Sequence, residues 1–463
     1  MRKVLALLLL SLVSAWAFAQ NGHKLSFQVK GLADTTVNLA HYYGDKQYIT
    51  DTVLVDHHGK FVFEGDDTLP GGIYMVILPG KKYFELIVTE QKFSMTTDTT
   101  DFVNNMKVEG SYQNKVFYEY LRFIKSKEKD VRSLQEEQKA LKEADKSTKK
   151  VDARLEDISK EVQDYKNNMI KNEPDAFICK VFLASKDVEV PDPPKGETDT
   201  LYKYHYYKKH YFDNIDLTDD RLLRTPVFHN KLETYITKLT IQIPDSINKE
   251  ADYLVERVRG NKEMFKYVVH YITNTYERSK YMGMDAVFVH MALNYYTKDQ
   301  AFWVQEEQLM RIRERAQVLS RLLIGKVAPN IVLKDMDGNF QILHQVDADY
   351  IVLFFWDPDC GHCKKATPKL KDLYDRVKNH GVKIFAVCTE TEETKWVNFI
   401  KDHHLEEWIN VADLDAQNPF RSIYDITATP KIFLLNRKKE IIAKQLDVEQ
   451  LEDFLKKELK EEF

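Results

Sequence analysis

The chain has 463 residues, 43% hydrophobic and 30% charged, with a formal charge of −5 and four cysteines. That length predicts about three domains at roughly 150 residues each. Mild acidity spread over so many charges argues against a nucleic-acid partner, and such sparse cysteine usage excludes a disulfide-stapled scaffold.

The N-terminus reads Met1-Arg2-Lys3, then an apolar run from Val4 to Val13, then Ala17-Phe18-Ala19. A basic start, a short apolar core and an A-x-A site describe a cleaved secretory signal over residues 1–19. The apolar run is shorter than the roughly 20 residues that span a bilayer, and no later segment is a membrane candidate. No cysteine stands near the cleavage site to carry a lipid anchor. The mature chain is expected to begin near Gln20 and to reside in the periplasm or cell envelope. Losing Arg2 and Lys3 takes its charge from −5 to −7.

Residues 20–114 read as short alternating strands: Leu25–Val29, Thr36–Ala40, Lys60–Phe63, Gly72–Leu78 and Tyr83–Val88. Turn signals at Tyr43-Gly44-Asp45, His58-Gly59 and Pro79-Gly80 separate them. This spacing predicts an antiparallel β-sandwich with nothing catalytic in it, and His57 and His58 fall at a solvated turn.

Residues 115–321 read as all-helical. Val151, Leu155, Ile158, Val162, Tyr165 and Met169 form a 4-3-4-3-4 seam, and Phe117, Leu121, Ile124, Val131, Leu134 and Leu141 form a looser one. With a turn at Ser147–Lys150, they predict an antiparallel helical hairpin packing face to face. Three prolines between Asp187 and Thr200 break the helical pattern. The basic-aromatic stretch Leu201–Tyr211 is expected to be a half-buried helix with snorkelling lysines rather than a nucleic-acid platform. His229, His270 and His290 lack metal-ligand spacing and read as packing residues, as does Cys179 in its apolar run.

From 322 to 463 strands and helices alternate. The apolar strand Tyr350–Trp356 leads into Cys360-Gly361-His362-Cys363. A C-x-x-C at the start of a helix places its first sulfur among unpaired N–H groups at the positive end of the dipole, which favours a thiolate. A thiolate beside a second thiol is the equipment of disulfide exchange: one sulfur attacks, the other resolves. A zinc site would want a second ligand pair, and there is no other C-x-x-C. Neither a metal nor a cofactor is therefore expected. His362, between the thiols, is expected to help tune the thiolate. Cys388 ends a neighbouring strand and reads as a buried free thiol.

Val327-Ala328-Pro329-Asn330, Phe355-Trp356-x-x-x-Cys360-x-x-Cys363, Pro368 and Thr429-Pro430 together resemble thioredoxin-like proteins of the TlpA/ResA class. The resemblance covers about residues 322–463 and implies an α/β thioredoxin-like domain. The chain would then be multidomain, with a sandwich, a helical region and a redox domain in that order. The upstream regions resemble, more weakly, uncharacterised domains that precede such modules in some envelope proteins. The resemblance implies that Cys360 is the nucleophile and Cys363 the resolving thiol. It also implies that Pro430 is cis, with Thr429, Pro430 and Trp356 meeting the substrate. The chain departs from its relatives at Phe354, where thioredoxin has a buried Asp, at Ala366, where many relatives have Glu, and at Asp359, where thioredoxin has Trp.

The function expected is an exported thiol-disulfide oxidoreductase that reduces or isomerises protein disulfides, fed by a membrane thiol donor. One rival is an envelope binding or assembly module in which the redox domain is secondary. Another is a peroxiredoxin-type peroxidase, against which Asp357 stands where that motif has Thr. A metallochaperone ranks last, for want of further soft ligands.

Overall fold

The computed structural model describes residues 22–460, so the secretory signal lies outside the described residues. The chain forms two compact units. The first runs to Leu239 and includes Arg257–Met264; the second comprises Thr240–Glu256 and the chain from Phe265 onward.

The first unit opens with β1 (His23–Lys30), β2 (Thr35–Tyr43), β3 (Lys46–Val55), β4 (Lys60–Gly65), β5 (Gly72–Leu78), β6 (Lys82–Val88), β7 (Lys92–Asp98) and β8 (Lys107–Glu109). They build two four-stranded sheets, in the orders β4-β1-β7-β8 and β3-β2-β5-β6. Alternation is visible in β1, where Leu25, Phe27 and Val29 are buried between half-exposed neighbours. The chain switches sheets after β1, β3, β4 and β6, so β7 returns beside β1 in the same direction and that pair is parallel. All other pairs in the sandwich are antiparallel. Gly59 turns the chain at φ +76°, and a Cβ there would lie 2.2 Å from the carbonyl oxygen of Val29, so only glycine fits. His57 and His58 are exposed at this turn.

Helices α1 (Tyr112–Glu143) and α2 (Lys149–Asn172) form the expected hairpin. Val151, Ile158 and Met169 are buried along the seam, and Phe123 stacks on Tyr165 with ring centroids 3.9 Å apart. Ser111 caps α1 by accepting from the N–H of Asn114. Next come α3 (Phe177–Ser185), α4 (Tyr202–His210) and α5 (Pro226–Thr237). No residue of α4 is fully buried, and Lys208 lies over the Tyr235 ring, so the basic-aromatic stretch packs along one side.

Helices α6 (Pro244–Val258) and α7 (Lys262–Glu277) are followed in the second unit by α8 (Asp285–Tyr295) and α9 (Glu306–Ser320). His290 Nε2 pairs with Asp252 Oδ1 at 2.7 Å, a structural role. Then come β9 (Val332–Lys334), β10 (Phe340–Ile342), β11 (Tyr350–Trp356), α10 (Gly361–Val377), β12 (Val382–Cys388), α11 (Glu393–Asp402), β13 (Ile409–Ala412), α12 (Phe420–Ile423), β14 (Lys431–Asn436), β15 (Ile441–Lys444) and α13 (Val448–Leu459). The seven strands lie in the order β10-β9-β13-β12-β11-β14-β15, with β11 parallel to β12 and antiparallel to β14. Val352, Phe354 and Trp356 face one core layer; Ile351, Leu353 and Phe355 face the other. Burial on both faces is why β11 reads as an unbroken apolar run. An Asp447–Gln450 capping box starts α13. Among the described residues no helix is long and apolar enough to cross a membrane.

Candidate active site

The site lies at the C-terminal end of β11. Strand register fixes its parts: Phe355 pairs with Lys431 on β14, and Trp356 pairs with Cys388 on β12. The first pairing brings the Thr429–Pro430 loop, which immediately precedes β14, beside the residues that follow β11. The Thr429–Pro430 peptide is cis.

Cys360 is the N-cap of α10, with extended backbone (φ −74°, ψ 118°), and Cys363 lies in the first helical turn. Both are thiols, as are Cys179 and Cys388. Cys360 is half-buried, and its thiol donates to the Thr429 carbonyl at 3.2 Å. Burial pushes the Cys360 thiol up. The N–H groups of Cys363 and His362, with the Thr429 and Cys363 side chains, outweigh it and leave the pKa below the ordinary value of 9.0. Cys363 is fully buried, and burial drives its thiol up to about 12 despite an opposing N–H from Asp357. One sulfur is thus accessible and acidic, the other sequestered and protonated. That is the division of labour disulfide exchange requires.

Alkylation of the reduced chain should show this asymmetry directly. Cys360 is expected to react with iodoacetamide with a half-maximal rate below pH 9.0, and Cys363 only as the pH nears about 12. Mass spectrometry of the two cysteines over a pH series measures both; equal profiles would refute the asymmetry.

The other predicted residues fall in different places. His362 presents its imidazole to solvent, and its backbone N–H is the group directed at the Cys360 sulfur. Trp356 is fully buried and packs against Phe399, with the rings tilted and their centroids 4.6 Å apart. The expectation that it meets substrate is therefore corrected: its ring belongs to the core and supports the strand end from beneath. Phe354 is fully buried in an edge-to-face contact with Trp408, so no carboxylate stands under the helix at that position. Cys388 is buried as expected, with burial raising its thiol to about 12, and Cys179 is buried with a thiol raised to about 11.

Sequence reading singled out Asp357 and Asp359 but missed the lysine and glutamates that complete the charged rim. Asp357 accepts from the Thr389 hydroxyl at 3.0 Å and from the Asp359 N–H at 2.8 Å. Lys395, on α11, lies 2.9 Å from Asp359, 3.6 Å from Glu390 and 3.4 Å from Glu392. Hydrogen bonding to Lys395 holds the Asp359 carboxyl below its usual range. Carboxylate oxygens of Asp357, Asp359 and Glu390 lie within 4.8 Å of one another. The Lys395 ammonium supplies a positive charge beside Asp359 and Glu390. Lys395 is 35 positions from Cys360, and nothing in its local sequence marks it.

Comparison with known proteins agrees with this geometry. The thioredoxin-like family pattern matches residues 347–441, and two domains of unknown function match residues 23–117 and 133–321. The thiol-disulfide oxidoreductase ResA of Bacillus anthracis is 30% identical over 141 residues, covering 30% of this chain and 79% of that protein. ResA of Bacillus cereus is 29% identical over 140 residues, with the same coverage. Among solved structures, a domain of a possible thiol-disulfide isomerase from Cytophaga hutchinsonii is 40% identical, covering 30% of this chain and 94% of that one, with a TM-score of 0.29. A thioredoxin-like protein from Bacteroides caccae is 21% identical, covering 58% of this chain and 98% of that one, with a TM-score of 0.46. Through its C-terminal domain, the chain belongs to the thioredoxin-like thiol-disulfide oxidoreductases of the ResA family.

Proposed function

We propose that Cys360 and Cys363 form the working couple of this oxidoreductase, acting outside the cytoplasm on disulfides of other proteins. The single observation that carries the reading is the contrast between an accessible, acidified Cys360 and a buried Cys363 raised to about 12. The Cys360 thiolate attacks one sulfur of a substrate disulfide, forming a mixed disulfide and releasing the other as a thiolate that takes up a proton. Cys363 then loses its proton and attacks the Cys360 sulfur. The second substrate thiol leaves, and the Cys360–Cys363 disulfide keeps the two-electron balance. The Thr429 carbonyl already touches the Cys360 thiol; in this reading Thr429 and Pro430 offer backbone groups to a substrate strand, and His362 contributes its N–H. A dithiol donor, in this reading a membrane thiol carrier, restores the reduced pair.

Residues 20–114 and 115–321 then choose or hold the substrate for the redox domain at 322–463, and residues 1–19 direct export. Equilibration with thiol–disulfide buffers, followed by trapping of free thiols, tests the couple. A reversible two-thiol transition is expected. A potential near or below about −230 mV assigns the chain to reduction, and one near or above about −180 mV assigns it to isomerisation. A chain whose Cys360 and Cys363 show no such transition would refute the reading.

A further inference from the structure

We propose that Arg315 on α9 is a positioning residue for the active site, acting through Asp425 and Lys431 on the Thr429–Pro430 loop that touches Cys360. The proposal rests on the reading that Cys360 is the attacking sulfur. It deepens that reading by giving helix α9, within a domain of unknown function, a part in the chemistry.

The loop runs from Tyr424 to Lys431, and both ends are fixed. Tyr424 is fully buried, and its hydroxyl donates to the Pro329 carbonyl. Lys431 is the first residue of β14 and pairs with Phe355. Lys431 folds its side chain back across the loop: Nζ donates to the carbonyl of Asp425 at 2.7 Å and to that of Tyr424 at 3.0 Å. The Asp425 carboxylate lies 3.8 Å from the same ammonium. A lysine at the end of a loop thus clamps its beginning, limiting how far the residues between, Thr429 included, can move.

The clamp is incomplete within the loop alone. Asp425 sits at φ +49°, a left-handed conformation that surrounding contacts must hold. Its other carboxylate oxygen faces Arg315 Nε at 3.9 Å, and Arg315 is itself oriented by Glu277 and lies over the Phe288 ring. Glu277, Phe288 and Arg315 all come from helices. With Asp425, Lys431 and Lys444 they line one cavity of about 50 Å³. Charge alternates through the group: Glu277, Arg315, Asp425, Lys431. Lys431 is partly desolvated, and burial lowers its pKa while Asp425 raises it. Removing Arg315 leaves Asp425 with one cationic partner and loosens the start of the loop. The effect reaches Cys360 because the Thr429 carbonyl accepts from its thiol and the Thr429 side chain lowers its pKa.

The test uses the full chain with Arg315→Gln, Arg315→Lys and Asp425→Asn. Arg315 is 44% exposed, so Arg315→Gln is not expected to disturb folding, which tryptophan fluorescence in urea checks. Both neutral variants should slow alkylation of Cys360 at pH 7 by about threefold, corresponding to about half a pKa unit upward. The double variant should be no slower than either single one, as residues in one chain of contacts are not additive. Arg315→Lys should restore the parent profile. Folded Arg315→Gln and Asp425→Asn chains with parental pH profiles and parental kcat/KM on a protein disulfide would overturn the proposal. If the parent chain itself shows no two-thiol transition, the functional reading falls first, and this proposal with it.

Discussion

A Cys363→Ser variant is expected to accumulate a stable mixed disulfide between Cys360 and its substrate, with turnover reduced on the order of 10³-fold or more. The reason is geometric. Cys360 caps α10 and is accessible, so the first attack survives the substitution; Cys363 is fully buried one turn in, and nothing else can resolve the intermediate. Cys388 is no substitute, because it is 1% exposed and its thiol is raised to about 12 by burial and by the neighbouring carboxylates of Asp357 and Glu390. Serine is close in size to cysteine, so the helix start should keep its packing. Cys360→Ser should behave differently, forming no covalent complex at all. Non-reducing electrophoresis, followed by mass spectrometry of the trapped species, distinguishes the two. A mixed disulfide through Cys388, or equal trapping by both variants, would contradict the assignment of nucleophile and resolving thiol. Trapping should accelerate with pH and reach half its maximal rate below pH 9.0, because the Cys360 thiol is more acidic than an ordinary cysteine.

The redox domain is legible in the sequence because its signals are local. Both faces of β11 are buried, so its apolar run is unbroken, and the C-x-x-C follows at the strand's end. The strand expected over Tyr350–Trp356 coincides with β11. The cis peptide at Thr429–Pro430 comes from family resemblance, since nothing in the residues alone demands it. The sandwich is legible where strands alternate, as in β1. β3 and β7 escape such a reading: β3 exposes Ile49 and Leu54 on an edge of its sheet, and β7 carries the polar run Thr96-Thr97-Asp98. The parallel β1–β7 pair depends on sheet-switching that no window of sequence encodes. Trp356 misleads because an aromatic beside a redox motif says nothing of which way its strand face turns. Lys395, Asp425 and Arg315 escape for another reason: their chemistry exists only once distant segments meet.

Lys444 gives the strongest energetic case for such a meeting within the second unit. This β15 lysine is 3% exposed, and its ammonium donates to the Leu322 carbonyl at 2.6 Å and pairs with Asp285 on α8. Burial lowers its pKa, and Asp285 opposes that by holding the charge in place. Asp285→Ala is expected to destabilise the second unit by ~3–5 kcal/mol, the cost of stranding a buried charge. Replacing both partners by apolar residues, Asp285→Leu with Lys444→Met, should recover most of that loss, because the desolvation penalty disappears with the charge. Glu307→Ala is the control: its partner Arg311 is 73% exposed, and such a pair is worth at most about 0.5 kcal/mol. Trp303, Trp356, Trp396 and Trp408 all lie in this unit, so tryptophan fluorescence in urea reports on it. The sign with pH is fixed. With Asp285 gone, nothing from that carboxylate opposes burial, so the folded-state pKa of Lys444 falls further below its ordinary value of 10.5. Stability then rises with pH, and the deficit against the parent should shrink as the pH approaches 10.5. A deficit within about 0.5 kcal/mol at pH 7, no larger than that of an exposed pair, would mean that α8 and β15 are held by apolar packing alone. A deficit of the expected size would make the helices a structural requirement of the redox sheet, since the charge that β15 buries is balanced by Asp285 on α8.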